Sequence, residues 1–388
     1  MIAQIKLLVD SVKDDIIKWR RHIHQNPEVS FKEKETAAYI IKELSSLPNA
    51  SIKQLTPTSV FVLIKGGKPG KRIAFRADID ALPINEQSGE LFSSQNEGVM
   101  HACGHDSHTA MLMGIVKIVS KIAQEIKGEV VFLFQHAEEL QPGGAIELIR
   151  NGALDKVSMI FGLHVMPDVP LGTISYNKSV YCASADIFSL TIKGKGAHGA
   201  YPHRSIDPIV IGSQVVGALQ TIVSRRIGPA LAPVVTIATF RAEGAYNIIA
   251  DTAYLAGTWR SHNKEVRQEV PKLIEQTVKG ITSAFGADYE FNIIKGGFPV
   301  GVNGKEAVSV VENVFSEYFS KDYVLQENPP MFGAEDFSYY QEQVPGCFLF
   351  VGMGGQAGLH TAKFKLNEDA MSVGISIYAA LIDYLLIK

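Results

Sequence analysis

Apolar side chains at Ile5, Val9, Val12, Ile16, Trp19 and Ile23 recur at helical spacing, so residues 5–24 predict an amphipathic helix that Pro27 ends. A second helix follows at 33–46. Residues 60–65 and 72–76 read as strands, the latter running into Asp78-Ile79-Asp80. Residues 109–126 predict a long helix. The continuous apolar run at 129–134 is that of a strand buried on both faces, and it leads to Glu138-Glu139. A short strand at 158–162 leads in turn to His164. Open α/β sheets gather their ligands in loops at strand C-terminal ends, so these positions suit a site.

The pattern changes near Tyr181. From Asp186 it runs strand (186–193), helix (206–226), strand (233–240), strand (252–260), helix (264–284), strand (288–294). That βαββαβ order is the split-βαβ, ferredoxin-like unit. After Gly296-Gly297 the first texture returns, with a helix at 304–319, a strand at 347–351 and a helix at 368–386. The expected organisation is a discontinuous α/β domain, 1–182 and 297–388, interrupted by a small inserted domain at 183–296.

At 388 residues the chain is long enough for two cores, and its composition is 46% hydrophobic and 20% charged with net charge −3. Near neutrality offers no general pull toward nucleic acid or an anionic membrane, which points to a small-molecule partner. Lys6, Lys13, Asp14 and Asp15 interrupt the N-terminal apolar residues, and no uncharged run approaches the ~18 residues of a membrane span. Three well-separated cysteines argue against a disulfide scaffold. The expectation is a cytoplasmic protein with reduced thiols.

The chemistry concentrates at Met100-His101-Ala102-Cys103-Gly104-His105-Asp106-Ser107-His108. Thiolate and imidazole are the ligands zinc prefers, and a Cys-x-His pair supplies half a site. Glu138-Glu139, His164 and His360 offer the remainder. Neither the paired Cys and His spacings of a zinc finger nor the P-C-x-x-C of a zinc deaminase is present. Adjacent carboxylates after an apolar strand can divide the labour near cations, one ligating and one taking a proton from water. Their order does not say which does which. Asp78 and Asp80, two residues apart at a strand end, can ligate metal or orient a ligand histidine, and Asp106 and Glu335-Asp336 are similar candidates for orienting one. In the inserted domain a glycine-rich turn presents His198, and Arg260 ends a strand.

These residues fall in specific motifs: Arg76-Ala-Asp-Ile-Asp-Ala-Leu-Pro83, Met100-His-Ala-Cys-Gly-His-Asp106, Phe134-Gln-His-Ala-Glu-Glu139, Gly196-Ala-His-Gly199, Asn247-Ile-Ile-Ala-Asp251 and Gly333-Ala-Glu-Asp-Phe337. Over nearly its whole length the chain resembles the aminoacylase/carboxypeptidase-type di-metal amidohydrolases, family twenty of the metallopeptidases. It is most similar to the branch of auxin-conjugate hydrolases, hippurate hydrolases and N-acetyldiaminopimelate deacetylases. The resemblance implies a zinc-exopeptidase-like α/β/α catalytic domain with an inserted ferredoxin-like lid and dimerisation domain. It implies two divalent metals per subunit, zinc or else manganese, cobalt or nickel, on Cys103, His105, Glu139, His164 and His360. Glu138 would be the general base. His198 would reach the active site of a partner subunit in a homodimer or higher oligomer, and Asn247 and Arg260 would hold a substrate carboxylate. Two departures stand out. Asp78 occupies a position where relatives outside this branch carry a histidine ligand, and His136 replaces a common proline. The implied reaction is hydrolysis of N-acyl amino acids, with a dipeptidase or carboxypeptidase using the same site as the alternative. A non-catalytic metal- or ligand-binding protein is a third reading, against which Glu138 beside Glu139 argues.

Overall fold

The computed structural model describes residues 3–355 and 357–388. The chain forms two compact units. One comprises Met1–Tyr181, Val302–Pro329 and Asp336–Lys388, and the other Cys182–Gly301 with Pro330–Glu335. The motif Gly333-Ala-Glu-Asp-Phe337 therefore straddles a boundary, Glu335 belonging to one unit and Asp336 to the other.

The larger unit is built on an eight-stranded mixed sheet. Its order is Ala50–Lys53, Val60–Lys65, Lys127–Gln135, Lys68–Asp78, Val157–Met166, Gly346–Gly352, Thr173–Tyr176 and Val324–Glu327. The Lys68–Asp78 strand runs parallel to both neighbours. Period-two alternation sorts the side chains. Phe75, Phe132 and Phe161 lie in register on one face, and Phe75 stacks on both rings at 6.0 and 5.7 Å. That face packs with the Lys13–Gln25, His105–Lys121 and Asp369–Ile382 helices in a single apolar core. Arg76, Gly162 and His164 alternate onto the other face, outside that core.

Several elements depart from the sequence pattern for local reasons. The helix expected at 5–24 is two, Ala3–Asp10 and Lys13–Gln25, broken where Ser11 Oγ bonds the Leu8 carbonyl. The helix expected at 109–126 begins at His105, because Gly104 at φ 86° turns the chain directly into it. The strand expected at 158–162 extends over Val157–Met166, so His164 lies within it rather than after it. Among the described residues one helical stretch, Asp369–Ile387, is long and apolar enough to cross a membrane, but most of it is buried inside the protein.

In the smaller unit the four-stranded antiparallel sheet is ordered Val234–Arg241, Thr252–Ser261, Ser184–Lys193, Asp288–Phe298. Helices Pro208–Thr221 and Lys264–Ala284 supply the other half of its core, in which Phe188, Leu190, Ile211, Val215, Leu255 and Ile274 meet. This is the βαββαβ order in space.

A buried ionic cluster ties the Lys13–Gln25 helix to the start of the His105–Lys121 helix. Arg20 Nε and His24 Nδ1 each lie 2.8 Å from Asp106 Oδ2, and His24 Nε2 lies 3.2 Å from Glu86. Burial works against charge on His24, but Asp106 and then Glu86 outweigh it and raise its pKa from 6.5 to about 9.

Two stability changes are expected. Phe75→Ala removes a fully buried ring shared by three aromatic neighbours and lowers unfolding stability by about 3–5 kcal/mol in denaturant titration. A raised histidine pKa gives stability that is complete below the unfolded value and is lost as pH rises through the folded one. Wild-type stability should thus fall between pH 6.5 and about 9. His24→Gln should be less stable at pH 6 and flatten that slope.

Candidate metal centre

Cys103 and His105 flank Gly104, whose left-handed backbone reverses the chain between them. A Cβ on Gly104 would meet Val165 Cγ2 at 2.5 Å, so only glycine lets the turn press against the His164 strand. There Cys103 Sγ lies 3.3 Å from His164 Nε2 and 3.2 Å from His360 Nε2. His360 arrives from the opposite end of the chain, itself left-handed at φ 59°, with its N–H donating to the Ala102 carbonyl at 2.8 Å. Its Nε2 also stands 3.1 Å from Glu139 Oε1.

The donors form overlapping triads whose atoms lie within 4.8 Å of one another: Cys103–His105–His164, Cys103–Glu139–His360 and His105–Glu138–Glu139. All five expected ligands and Glu138 are thus brought together within one unit, 257 residues separating Cys103 from His360.

These residues fit a cation. His105 Nε2 is buried without a hydrogen bond, which is costly unless something else meets it. Sulfur and nitrogen on one tetrahedral zinc stand roughly 3.6 Å apart, close to both distances from Cys103. Electrostatics agrees. Burial opposes charge on His105, yet Asp78, Asp80 and Glu139 raise its pKa to about 10. Burial first, then Glu139, Glu138 and Asp78, pushes the Cys103 thiol far up. The carboxylates that hold a proton on His105 supply charge that a divalent cation can meet instead, while burial and then His108 keep His164 neutral and free to donate its lone pair.

Around the donors lies a second layer of fixed contacts. His105 Nδ1 faces the Asp80 carbonyl at 3.0 Å and Asp80 Oδ1 at 3.2 Å, which turns Nε2 inward. Asp80 Oδ2 accepts from the Glu139 N–H at 3.0 Å and from Ser30 Oγ at 2.7 Å. Asp78 stands farther from His105 than Asp80 does. Its Oδ1 is 3.8 Å from His105 Nδ1 but 2.6 Å from His108 Nδ1. His108 Nε2 in turn accepts the Val165 N–H at 2.9 Å, which fixes the strand next to His164. Burial would raise the Asp78 pKa, but His105, His108 and Arg76 hold it well below the usual range. Asp106 misses the ligands and bonds Arg20 and His24 instead, so it seats the helix that carries His105.

The working roles of Arg76 and His108 escaped sequence reasoning. Arg76 bonds Asp78 at 2.6 Å, Asp336 at 2.8 Å and Gln135 at 2.8 Å, wholly buried. Its spacing of two from Asp78 on one strand was the available signal. Asp336, a candidate of the sequence, accepts from Arg76, Gln135 and the Ala145 N–H. Burial raises its pKa to about 6 despite Arg76.

In the smaller unit His198 and Asn247 sit together. Ala197–His198 pairs with Ile248–Ile249, and the Gly199 N–H donates to the Asn247 carbonyl at 2.8 Å. Both side chains are exposed. Arg260 is not with them. Its strand partner is Ala185, whereas Lys193, which leads into the His198 turn, pairs with Thr252 at the other end. Eight residues of strand separate these ends by about 26 Å. Arg260 Nη1 donates to the Phe332 carbonyl at 2.8 Å.

The chain is 46% identical to an N-acyl-L-amino acid amidohydrolase of Geobacillus stearothermophilus, over 76% of this chain and 80% of that one. It is 36% identical to thermostable carboxypeptidase 2 of Saccharolobus solfataricus, over 98% of each. The crystal structure of the YXEP protein of Bacillus subtilis, described as a dinuclear metal binding peptidase, superposes with a TM-score of 0.83 at 35% identity, covering 96% of this chain and 98% of that one. Residues 74–384 match the profile described as peptidase family M20/M25/M40, and the chain belongs to that family as a metal-dependent amide hydrolase.

Proposed function

We propose that the protein hydrolyses N-acyl amino acids, with an N-acetyl or aromatic acyl group, to a carboxylic acid and a free amino acid. The observation that carries this reading is the convergence of Cys103, His105, Glu139, His164 and His360 beside the buried carboxyl of Glu138. The relative named for N-acyl amino acids supports the substrate class. The five ligands would hold two divalent cations, with Cys103 common to two triads. Sulfur and imidazole favour zinc, while the carboxylate admits manganese, cobalt or nickel. When bound, the cations would polarise the amide carbonyl and lower the pKa of water toward neutrality.

The chain's own residues do the rest. Glu138 takes a proton from the attacking water and passes it to the amide nitrogen, which leaves poorly unless protonated. Asp80 holds the imidazole of His105 and the backbone of Glu139 in place meanwhile. His198 of a partner subunit stabilises the charge that develops on the carbonyl oxygen, a contact worth ~3 kcal/mol. Asn247 and Arg260 bind the substrate carboxylate, the guanidinium through its fork of donors. The separation of Arg260 from His198 and Asn247 within one chain supports a site completed by two. The smaller unit would serve as lid and dimerisation domain. Its Val234–Arg241 strand ends the sheet and exposes Val234 and Phe240, beside exposed Ile209 and Val210. No disulfide joins the three cysteines, as suits action in the cytoplasm.

The relative named carboxypeptidase supports a second reading, in which an aminoacyl group replaces the acyl group. Release of free amine from a panel of N-acyl amino acids and dipeptides, with defined metals, decides between them. Faster turnover of N-acyl amino acids is expected, and a preference for dipeptides would overturn the first reading.

Glu138→Gln should keep its metal stoichiometry and lose nearly all turnover, because the base goes and the ligands stay. Activity near wild type in that variant removes Glu138 from the mechanism. His198→Ala should lower kcat ~100-fold or more with metal content and oligomeric state intact. Mixing it with Glu138→Gln should restore part of the activity, since one site of each mixed dimer pairs an intact Glu138 with an intact His198. No recovery in dimers shown to have exchanged subunits refutes donation between chains.

A further inference from the structure

Glu138 and Glu139 are identical neighbours, and nothing in their side chains decides which ligates and which takes the proton. The backbone before them does. Ala137 is left-handed at φ 51°, a conformation an L residue keeps only where its surroundings impose it. Three contacts hold it. The Ala137 N–H donates to Glu33 Oε1 at 2.7 Å, the Ala137 carbonyl accepts from the Gly144 N–H at 3.0 Å, and the Glu139 N–H donates to Asp80 at 3.0 Å.

The first contact is unusual. Glu33 stands at the start of the Lys34–Leu44 helix, where its side chain makes no capping bond. It is fully buried, and its Oε2 has no hydrogen-bond partner. A buried carboxyl is expensive and needs a reason. Burial, with Asp80 nearby, pushes its pKa up to about 8 against the pull of the Ala137 N–H and other backbone donors.

We propose that Glu33 is a positioning residue for the general base: its buried oxygen pins the Ala137 N–H and so fixes the left-handed turn that sends Glu138 and Glu139 in different directions. This rests on the reading of Glu138 as the base. Glu33 touches neither substrate nor ligand atoms in this role and acts only through the turn.

Glu33→Leu removes the acceptor at similar volume, and Glu33→Gln keeps a carbonyl oxygen in the same place. Each is purified with metal, and metal content, thermal midpoint, kcat and KM are measured on an N-acetyl amino acid that the wild type turns over. The expected result for Glu33→Leu is full metal content, KM within about threefold and kcat down ~10-fold or more, the scale of a misaimed catalytic group. Glu33→Gln should return kcat to within about threefold of wild type. An unchanged kcat in Glu33→Leu overturns the proposal. So does an equal loss in Glu33→Gln, or loss of metal along with kcat, which would make Glu33 a general support of the centre. Should leucine prevent folding, Glu33→Met, longer and more pliable, carries the same comparison. Glu138→Gln in the same assay separates two failures. If it is inactive beside a fully active Glu33→Leu, only the positioning role falls. If it is active, the general-base reading falls and takes the positioning role with it.

Discussion

Asp78 and Asp80 are charged groups with essentially no exposure, and burying a charge costs several kcal/mol unless it is paired and hydrogen-bonded. The fold meets that requirement from every side. Arg76 reaches Asp78 from the same strand, and His108 reaches it from the adjoining helix. Asp80 is met by His105, Ser30 and the Glu139 N–H. The two carboxylates thereby fix the helix start, the strand next to His164 and the loop bearing the paired glutamates. These are the three pieces of backbone that must agree for the candidate metal ligands to converge.

The same arrangement sets the charge of the centre. Asp78, Asp80 and Glu139 lift His105, and Glu139, Glu138 and Asp78 follow burial in lifting the Cys103 thiol. A pocket so rich in negative charge favours whatever cation can enter. Softness then selects, since one sulfur and three imidazoles suit a borderline metal better than magnesium or calcium. The apolar core beneath supplies rigidity, as Phe75, Phe132, Phe161 and Tyr378 interlock under the strands that end at Asp78 and Gln135. Ligand positions held to tenths of an ångström need a support of that stiffness.

The smaller unit solves a different problem. Its helices bury only one face of a four-stranded sheet, which leaves an edge strand and a glycine-bounded histidine at the surface. His198 and Asn247 share one end of that sheet, while Arg260 lies at the other. A ligand small enough to be an acylated amino acid cannot bridge that span within one chain. For all three to meet one such ligand, as proposed, more than one chain has to supply them.

Much of this was legible in the chain itself. Donor chemistry is a property of side-chain type, so Cys103, His105, the Glu138-Glu139 pair, His164 and His360 could be named as candidate ligands from local motifs, whereas the choice of Glu139 over Glu138 came only with the family resemblance. The strand and helix periods, set by which residues must face a core, gave the α/β sheet and the βαββαβ unit. Tertiary structure alone decided the supporting contacts. Asp78 pairs with His108, Asp106 with Arg20 and His24, and Glu33 with a backbone N–H 104 residues away. Nothing local marks such pairs, because a hydrogen bond between distant segments depends on where the sheet register and helix starts bring them. The split of the Asn247, His198 and Arg260 set across one sheet has the same origin: register is fixed by packing across strands, not by any motif along one of them.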